Sequence, residues 1–304
     1  MAYNFSVIIP HKNIPHLLER CLASIPQRDD VQVIVVDDAS DPTIVDFGRF
    51  PGLKRPHTEV IFYKAPMGQG GSGVARNVGM AEAKGRWLVF ADADDFFHPV
   101  LAEMMDKYAS SDADIVFFRH DSVDSDTLEP VAINTRRNRL LAEFEYTGEE
   151  DPLRYMIWVP WGKFVRRALV MERGIGFDPV RFSNNLMFSV RTGHEASKIV
   201  SDPAVIYCNT RRIGSLIHEG REDWEAMSQR FDVDYRAARY VLDAGKGRLF
   251  DHVVAERWLA LARIDPRKAR KLVPLLRQVC SPRELRKTRA KLFWERIVRP
   301  FRKD

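Results

Sequence analysis

Three carboxylates, Asp92, Asp94 and Asp95, follow directly on the apolar run WLVF at 87–90. Like charges this close repel, and clustered acids ordinarily need a cation to offset them. A D-x-D spacing lets two carboxylates reach one hard divalent ion, which prefers oxygen ligands and also takes phosphate oxygens. Such an ion can neutralise a departing diphosphate. The plainer alternative is a solvated turn in which Asp94 or Asp95 caps a helix at 99–107. A second acidic pair, Asp37 and Asp38, ends VQVIVVDDAS. At this place in doubly wound folds an acid hydrogen-bonds a base or ribose, or simply caps the next helix. Between the two groups lies GQGGSGVARNVG (68–79). Backbone N–H groups at a helix start, with Arg76 nearby, could cradle a phosphate there; a flexible loop and helix cap is the alternative. The stretch lacks the G-K-[ST] of a Walker A loop. It is no dinucleotide fingerprint either, because the first strand ends in PHKN without glycine.

These residues need a frame to bring them together. FSVIIP (5–10), VQVIVV (31–36), TEVIFYK (58–64), RWLVFAD (86–92) and ADIVFFRH (113–120) read as buried strands. Helical spacing appears at 14–25 and 71–85. Strands alternating with helices predict an α/β fold with a doubly wound, mostly parallel sheet. In such sheets ligands bind beyond the carboxyl ends of the strands, where both acidic groups fall. The stretch 121–220 is less regular. Beyond it the pattern turns helical, near 221–242, 250–263, 266–279 and 282–299. The expected organisation is therefore a ligand-binding and catalytic domain over 1–220 and a helical C-terminal region over 221–304.

The 304 residues, 45% hydrophobic and 11% aromatic, supply a packed core. Three widely spaced cysteines without a CxxC suggest neither disulfides nor zinc. That pattern, with no signal-like leader and no long apolar run, predicts a cytoplasmic location. The net charge of +5 is uneven: residues 263–304 carry 15 Lys/Arg against 4 Asp/Glu, a net of +11, and the rest of the chain is −6.

FSVIIPHKN, VQVIVVDDAS, GSGVARNVGM and WLVFADADDFF, in that order, resemble a family 2 glycosyltransferase of the GT-A fold, in its bacterial surface-polysaccharide branch. WVPWGKFVRRALVMERGIGFD and IYCNTRRIGSL extend the resemblance over about residues 4 to 218. It implies an inverting, metal-dependent transfer from a nucleotide-sugar, a UDP-sugar first, to a hydroxyl of a saccharide or lipid-linked acceptor. Pro10 and Asp38 would border the nucleobase, Arg76 the donor, and Asp92 its ribose or sugar. Asp94 would hold Mn²⁺ or Mg²⁺, with Asp92 and His218 as further ligands to consider. Asp95 would support Asp94 or touch the sugar. Trp161 and Lys163 would form the acceptor side. Arg211, Arg212, Ser215 and His218 would lie on a segment closing over the donor.

One position departs from the family pattern. The aspartate that would take the acceptor proton is replaced by Asn185 in GIGFDPVRFSNNLMF. An amide accepts no proton at neutral pH. Either residue 185 is an Asp-to-Asn replacement, or another acid such as Asp178 or Glu195 serves, or the chain is a catalytically inactive sugar-nucleotide-binding protein.

The tail SPRELRKTRAKLFWERIVRPFRKD interleaves cations with Phe293, Trp294, Ile297, Val298 and Phe301. A basic amphipathic helix of this kind suits an anionic membrane surface, and would make the protein peripheral on the inner face of the membrane. The same stripe could instead pack on the protein's own body. No nucleic-acid recognition module is visible, and the acidic body argues against that partner.

Overall fold

The computed structural model describes residues 3–50, 53, 58–63, 71–131, 135–211 and 223–295. The chain divides into two compact units, Met1–Ser215 and Leu216–Asp304.

The first unit contains β1 (Phe5–His11), α1 (Pro15–Ser24), β2 (Val31–Asp38), β3 (Thr58–Tyr63), α2 (Ser72–Glu82), β4 (Trp87–Phe90), β5 (Phe96–Phe97), α3 (Leu101–Tyr108), β6 (Ile115–Asp124), α4 (Thr135–Thr147), α5 (Asp151–Met156), β7 (Lys163–Arg166), α6 (Arg167–Glu172), α7 (Asn185–Glu195) and β8 (Ile199–Arg211). One sheet runs in the order β3-β2-β1-β4-β7-β6-β8-β5. Its first four strands are parallel. β7 is antiparallel to both β4 and β6, and β5 is antiparallel to β8. The sheet is thus mostly parallel, as the sequence predicts, with two short antiparallel insertions.

Every residue of β1 is buried, as expected of a parallel strand covered on both faces. Its side chains alternate between two cores. Val7 and Ile9, with Val33, Val35 and Val89, meet α1 and α3 through Leu18, Leu22, Leu101 and Met105. Ile8, with Ile34, Val36, Leu88 and Phe90, meets α2, α5 and α7 through Ala75, Leu153 and Phe188. Gly79 lets α2 lie directly on the sheet, since a Cβ there would sit 2.5 Å from the Ile8 side chain. After β3 the chain crosses back to place β4 on the other side of β1. That reversal is a topological switch point, beyond whose strand carboxyl ends such sheets form their ligand crevice.

The second unit holds α8 (Trp224–Asp243), α9 (Asp251–Ile264), α10 (Pro266–Lys271), α11 (Val273–Val279) and α12 (Pro282–Phe293). The single helix expected over 266–279 is two, broken at Leu272, because Pro274 cannot donate an intrahelical bond. α12 begins at Ser281, whose hydroxyl accepts from the Glu284 N–H at 3.2 Å. The helix is tied to α9 by Lys291–Glu256, with Arg263–Glu295 just beyond its end, both at 2.7 Å. Its buried residues are Glu284 and Thr288. The stripe expected over 293–301 is described only as far as Phe293 and Trp294, which are exposed; Ile297, Val298 and Phe301 lie outside the described residues. Among the described residues no helix is long and apolar enough to cross a membrane.

Candidate active site

The acids at the ends of β2 and β4 are both tied to α2, Asp38 at Gly71 and Asp92 at Arg76, through partners the sequence did not announce. β1 and β2 are joined at their carboxyl ends by His11 Nδ1 and Asp37 Oδ1, 2.9 Å apart. The Ser40 hydroxyl also donates to Asp37 at 2.6 Å. Burial pushes the Asp37 carboxyl up, but the bonds from His11 and Ser40 prevail and hold it below the usual carboxylate range. Asp37 is therefore a structural clasp. Asp38 is half-buried and accepts from the Gly71 N–H at 3.0 Å, which joins β2 to the start of α2. Pro10 is buried inside β1, opposite Val36, so it backs the crevice rather than lining it.

Arg76, one turn into α2, is the hub. Its guanidinium is buried and lies over the Phe177 ring. Nη2 donates to Asp92 Oδ1. Nη1 donates to Asn185 Oδ1 at 2.8 Å, with Asn184 Oδ1 and Ser72 Oγ at 3.3 Å. The start of α7 is thereby tied to α2 and to the end of β4. Gly73 permits the approach: a Cβ there would lie 2.6 Å from the Asp178 carbonyl oxygen and 2.8 Å from Asn184 Cβ.

The three acids after β4 differ in role. Asp95 is buried, and Tyr207 Oη (2.7 Å), Asn209 Nδ2 (3.1 Å) and the Thr210 N–H (2.7 Å) all donate to it. Burial, then the charges of Asp94 and Asp92, push its carboxyl well above the usual range. Asp95 thus anchors the loop through Tyr207, Asn209 and Thr210. Asp94 is half-exposed, and its main-chain oxygen accepts from Arg20 (2.7 Å) and Thr210 (2.8 Å). Asp92 is also half-exposed, with its N–H bonded to Tyr207 Oη at 2.9 Å. Neither Asp94 nor Asp95 caps α3, which starts without a side-chain cap.

Asp92 and Asp94 are half-exposed carboxylates, hard oxygen donors, with one Asp92 oxygen already engaged by Arg76. Among the described residues they do not make a three-ligand group alone. This set fits a divalent cation held by one or two carboxylates and completed by phosphate oxygens and water.

Several expected residues sit elsewhere. Trp161 and Lys163 are buried, so neither presents a surface to an acceptor. Trp161 stacks on Tyr207 with ring centroids 4.9 Å apart and so buttresses the phenol that holds Asp95. Lys163 Nζ donates to the Ile157 carbonyl at 3.1 Å; burial, then the Arg137 charge, hold its amine well below the usual range. Glu195 closes α7 ten residues beyond Asn185, about 15 Å along the axis. It pairs with Arg173 at 3.3 Å, which removes it as a proton acceptor for this crevice. Asp178 stays close, since its N–H donates to the Asn184 carbonyl at 3.2 Å. Arg211 is exposed at the end of β8, just past Thr210. Arg212, Ser215 and His218 lie outside the described residues, as do residues 64–70. His11, Arg20 and Tyr207 were not foreseen. Their roles come from strand register and sheet crossing, and no local pattern marks them.

The profile described as Glycosyl transferase family 2 matches residues 6–171, more than half of the 304. The uncharacterized glycosyltransferase EpsJ of Bacillus subtilis (strain 168) is 25% identical over 203 residues, 64% of this chain; the chain spans 57% of that relative's length. The S. aureus TarS 1–349 structure in complex with UDP-GlcNAc shares the fold with a TM-score of 0.60 at 22% identity, over 86% of this chain and 71% of that one. The mannosyltransferase PcManGT from Pyrobaculum calidifontis, in complex with GDP-Man and Mn²⁺, has a TM-score of 0.56 at 18% identity, over 99% of this chain and 83% of that one. The chain belongs to glycosyl transferase family 2.

Proposed function

We propose that this protein transfers a sugar from a nucleotide-sugar to a hydroxyl of a saccharide or lipid-linked saccharide, with inversion, in the synthesis of a surface polysaccharide. The observation that carries the reading is the convergence, through Arg76 and Gly71, of Asp92, Asp38 and the start of α7 on the switch-point crevice. Asp38 would take the nucleoside side of the donor, with Asp92 and Arg76 beside the transferred sugar. Asp94, with Asp92 as second candidate, would hold a divalent cation. When bound, that cation supplies positive charge to the leaving diphosphate. The two neighbouring structures are complexes with UDP-GlcNAc and with GDP-Man, so the fold takes more than one base and sugar.

Inversion needs one group to accept the acceptor hydroxyl's proton on the face opposite the diphosphate. Asn185 stands where such a group belongs and cannot do it. An Asp-to-Asn replacement at 185 preserves the Arg76 contact while removing the basicity. Asp178 is the remaining neighbouring acid. The second reading, a sugar-nucleotide-binding protein without turnover, is favoured by this amide alone.

Calorimetric titration of nucleotide-sugars, with Mn²⁺ and then with EDTA, tests the donor site. Metal-dependent binding of one donor is expected; no binding of any donor would sink the reading. Transfer assays on Asn185→Asp separate the enzyme from the binding protein.

A further inference from the structure

His98, Asp121 and Cys208 lie together at β8, the strand whose Tyr207 and Asn209 donate to Asp95. His98 Nε2 and Asp121 Oδ1 are 2.9 Å apart, and with the buried Cys208 sulfur all three ligand atoms lie within 4.8 Å of one another. We propose that His98, Asp121 and Cys208 form a binding site for a soft divalent cation of the zinc class, with a fourth position open to water.

The residue types argue for this class: an imidazole, a carboxylate and a cysteine sulfur are the donors zinc takes, and three protein ligands plus water is a common zinc arrangement. Burial and the Asp121 carboxylate push the Cys208 thiol up to about 12, so the metal would bind by displacing its proton to solvent. Tetrahedral bonds set N and O about 3.3 Å apart and S about 3.6 Å from either; here the N–O pair is at 2.9 Å and all three atoms lie within 4.8 Å of one another. Small side-chain shifts suffice, and the backbone is already set. Asp121 and Cys208 are register partners on β6 and β8. Phe96 pairs with Cys208 on the other side, and the His98 N–H donates to the Ile206 carbonyl at 3.0 Å. The His98 ring leans edge-on against Phe96 at 5.9 Å. Exposure grades across the site, with Cys208 buried, His98 half-buried and Asp121 exposed, so an ion can enter from solvent. An oxygen-seeking Mg²⁺ would not choose the thiolate, so this site and Asp94 select different metals.

Position gives the site a consequence. Cys208 lies between Tyr207 and Asn209, both of which donate to Asp95. A cation joining β5, β6 and β8 at Cys208 would stiffen the scaffold under the D-x-D loop without touching the donor.

The test is cobalt titration of the EDTA-treated, dialysed full chain, read by absorption. The expected result is a thiolate-to-cobalt charge-transfer band that saturates at one equivalent and is bleached by Zn²⁺. It disappears in Cys208→Ser, and half-saturation moves at least about tenfold higher in His98→Gln and in Asp121→Asn. Cobalt at the aspartate loop gives no such band, so failure of the donor-site reading leaves this result unaffected. If Cys208→Ser does not fold, the His98 and Asp121 variants decide alone, since both side chains reach solvent. A folded wild type with no band, a band that survives Cys208→Ser, or half-saturation unmoved in both other variants overturns the proposal.

Discussion

Arg76 donates to the Asn185 side-chain oxygen at 2.8 Å. A guanidinium has donors only, so the amide must turn its oxygen inward and leave its NH₂ as the outward group. On the proposed function, an acceptor hydroxyl would then meet a donor where transfer needs a proton acceptor. In Asn185→Asp the inner oxygen keeps the Arg76 bond, and the outer group becomes a carboxylate oxygen able to take a proton.

Asn185→Asp should raise sugar transfer by about 10²–10⁴-fold, the usual weight of a positioned general base. Donor affinity should change little, since the Arg76 contact is preserved. Steady-state transfer and calorimetry on the same preparation check both. Unchanged turnover would mean that the proton goes elsewhere; Asp178→Asn would then abolish the wild-type rate if Asp178 takes it.

Asp94 and Asp95 are neighbours in sequence with opposite expected phenotypes. Asp94→Asn should leave the melting temperature unchanged and remove the metal-dependent part of donor binding, because Asp94 is half-exposed. Asp95→Asn should destabilise the fold by about 1–3 kcal/mol, because an amide cannot accept from Tyr207, Asn209 and Thr210 together. Thermal unfolding and calorimetry with Mn²⁺ and EDTA distinguish them. Loss of stability in Asp94→Asn would mean that the two carboxylates have been assigned in the wrong order.

The parallel half of the sheet was legible because strands covered on both faces read as unbroken apolar runs, as in FSVIIP and VQVIVV. β7 was not, because Lys163 puts a charge at the head of a four-residue strand and its burial is invisible in sequence. β8 was obscured by Asp202 and Pro203 in its middle. The register jumps there from Phe118↔Asp202 to Arg119↔Val205, so Pro203 sits in a bulge where it owes no ladder bond. The acids of the crevice were legible because each group ends an apolar run. The hydrogen bonds that sort them, from Tyr207 and Arg20, depend on which strands become neighbours, and no local spacing encodes that.

His120 should make the first unit acid-sensitive. It is buried beside Trp161, and neither ring nitrogen has a hydrogen-bond partner. Burial, then the Arg137 charge, lower its pKa to about 3; Asp121 and Asn138 oppose this weakly. A depressed folded pKa means that the unfolded chain binds the proton first. The contribution of the neutral ring is complete above the ordinary value of about 6.5 and is lost as pH falls towards about 3. The slope is at most about 1.4 kcal/mol per pH unit. Denaturant unfolding across about pH 4–7 should show this slope in the wild type and lose one proton of it in His120→Phe. An identical pH dependence in both proteins would assign the acid sensitivity to another group.

α12 bears on both readings of the basic tail. Its inner face is committed to α9 through Glu284, Thr288 and the Lys291–Glu256 pair. Its outer face leaves Arg283, Arg286, Lys287 and Arg289 in solvent, and Phe293 and Trp294 are 61% and 42% exposed. Packing on the body therefore explains one face and leaves a face of cations with two large aromatics at its end. We propose that this outer face rests on an anionic membrane, where each cation contributes about 1 kcal/mol and the aromatics enter the headgroup boundary. The protein should co-sediment with vesicles containing anionic lipid and not with purely zwitterionic ones. Binding should weaken with salt, because the cations are solvated and screened. Phe293→Ser with Trp294→Ser should remove the salt-resistant part, and Arg286→Glu with Lys287→Glu the salt-sensitive part, with soluble-acceptor transfer unchanged in both. Vesicle binding that is indifferent to all four substitutions would place the membrane contact elsewhere in the chain.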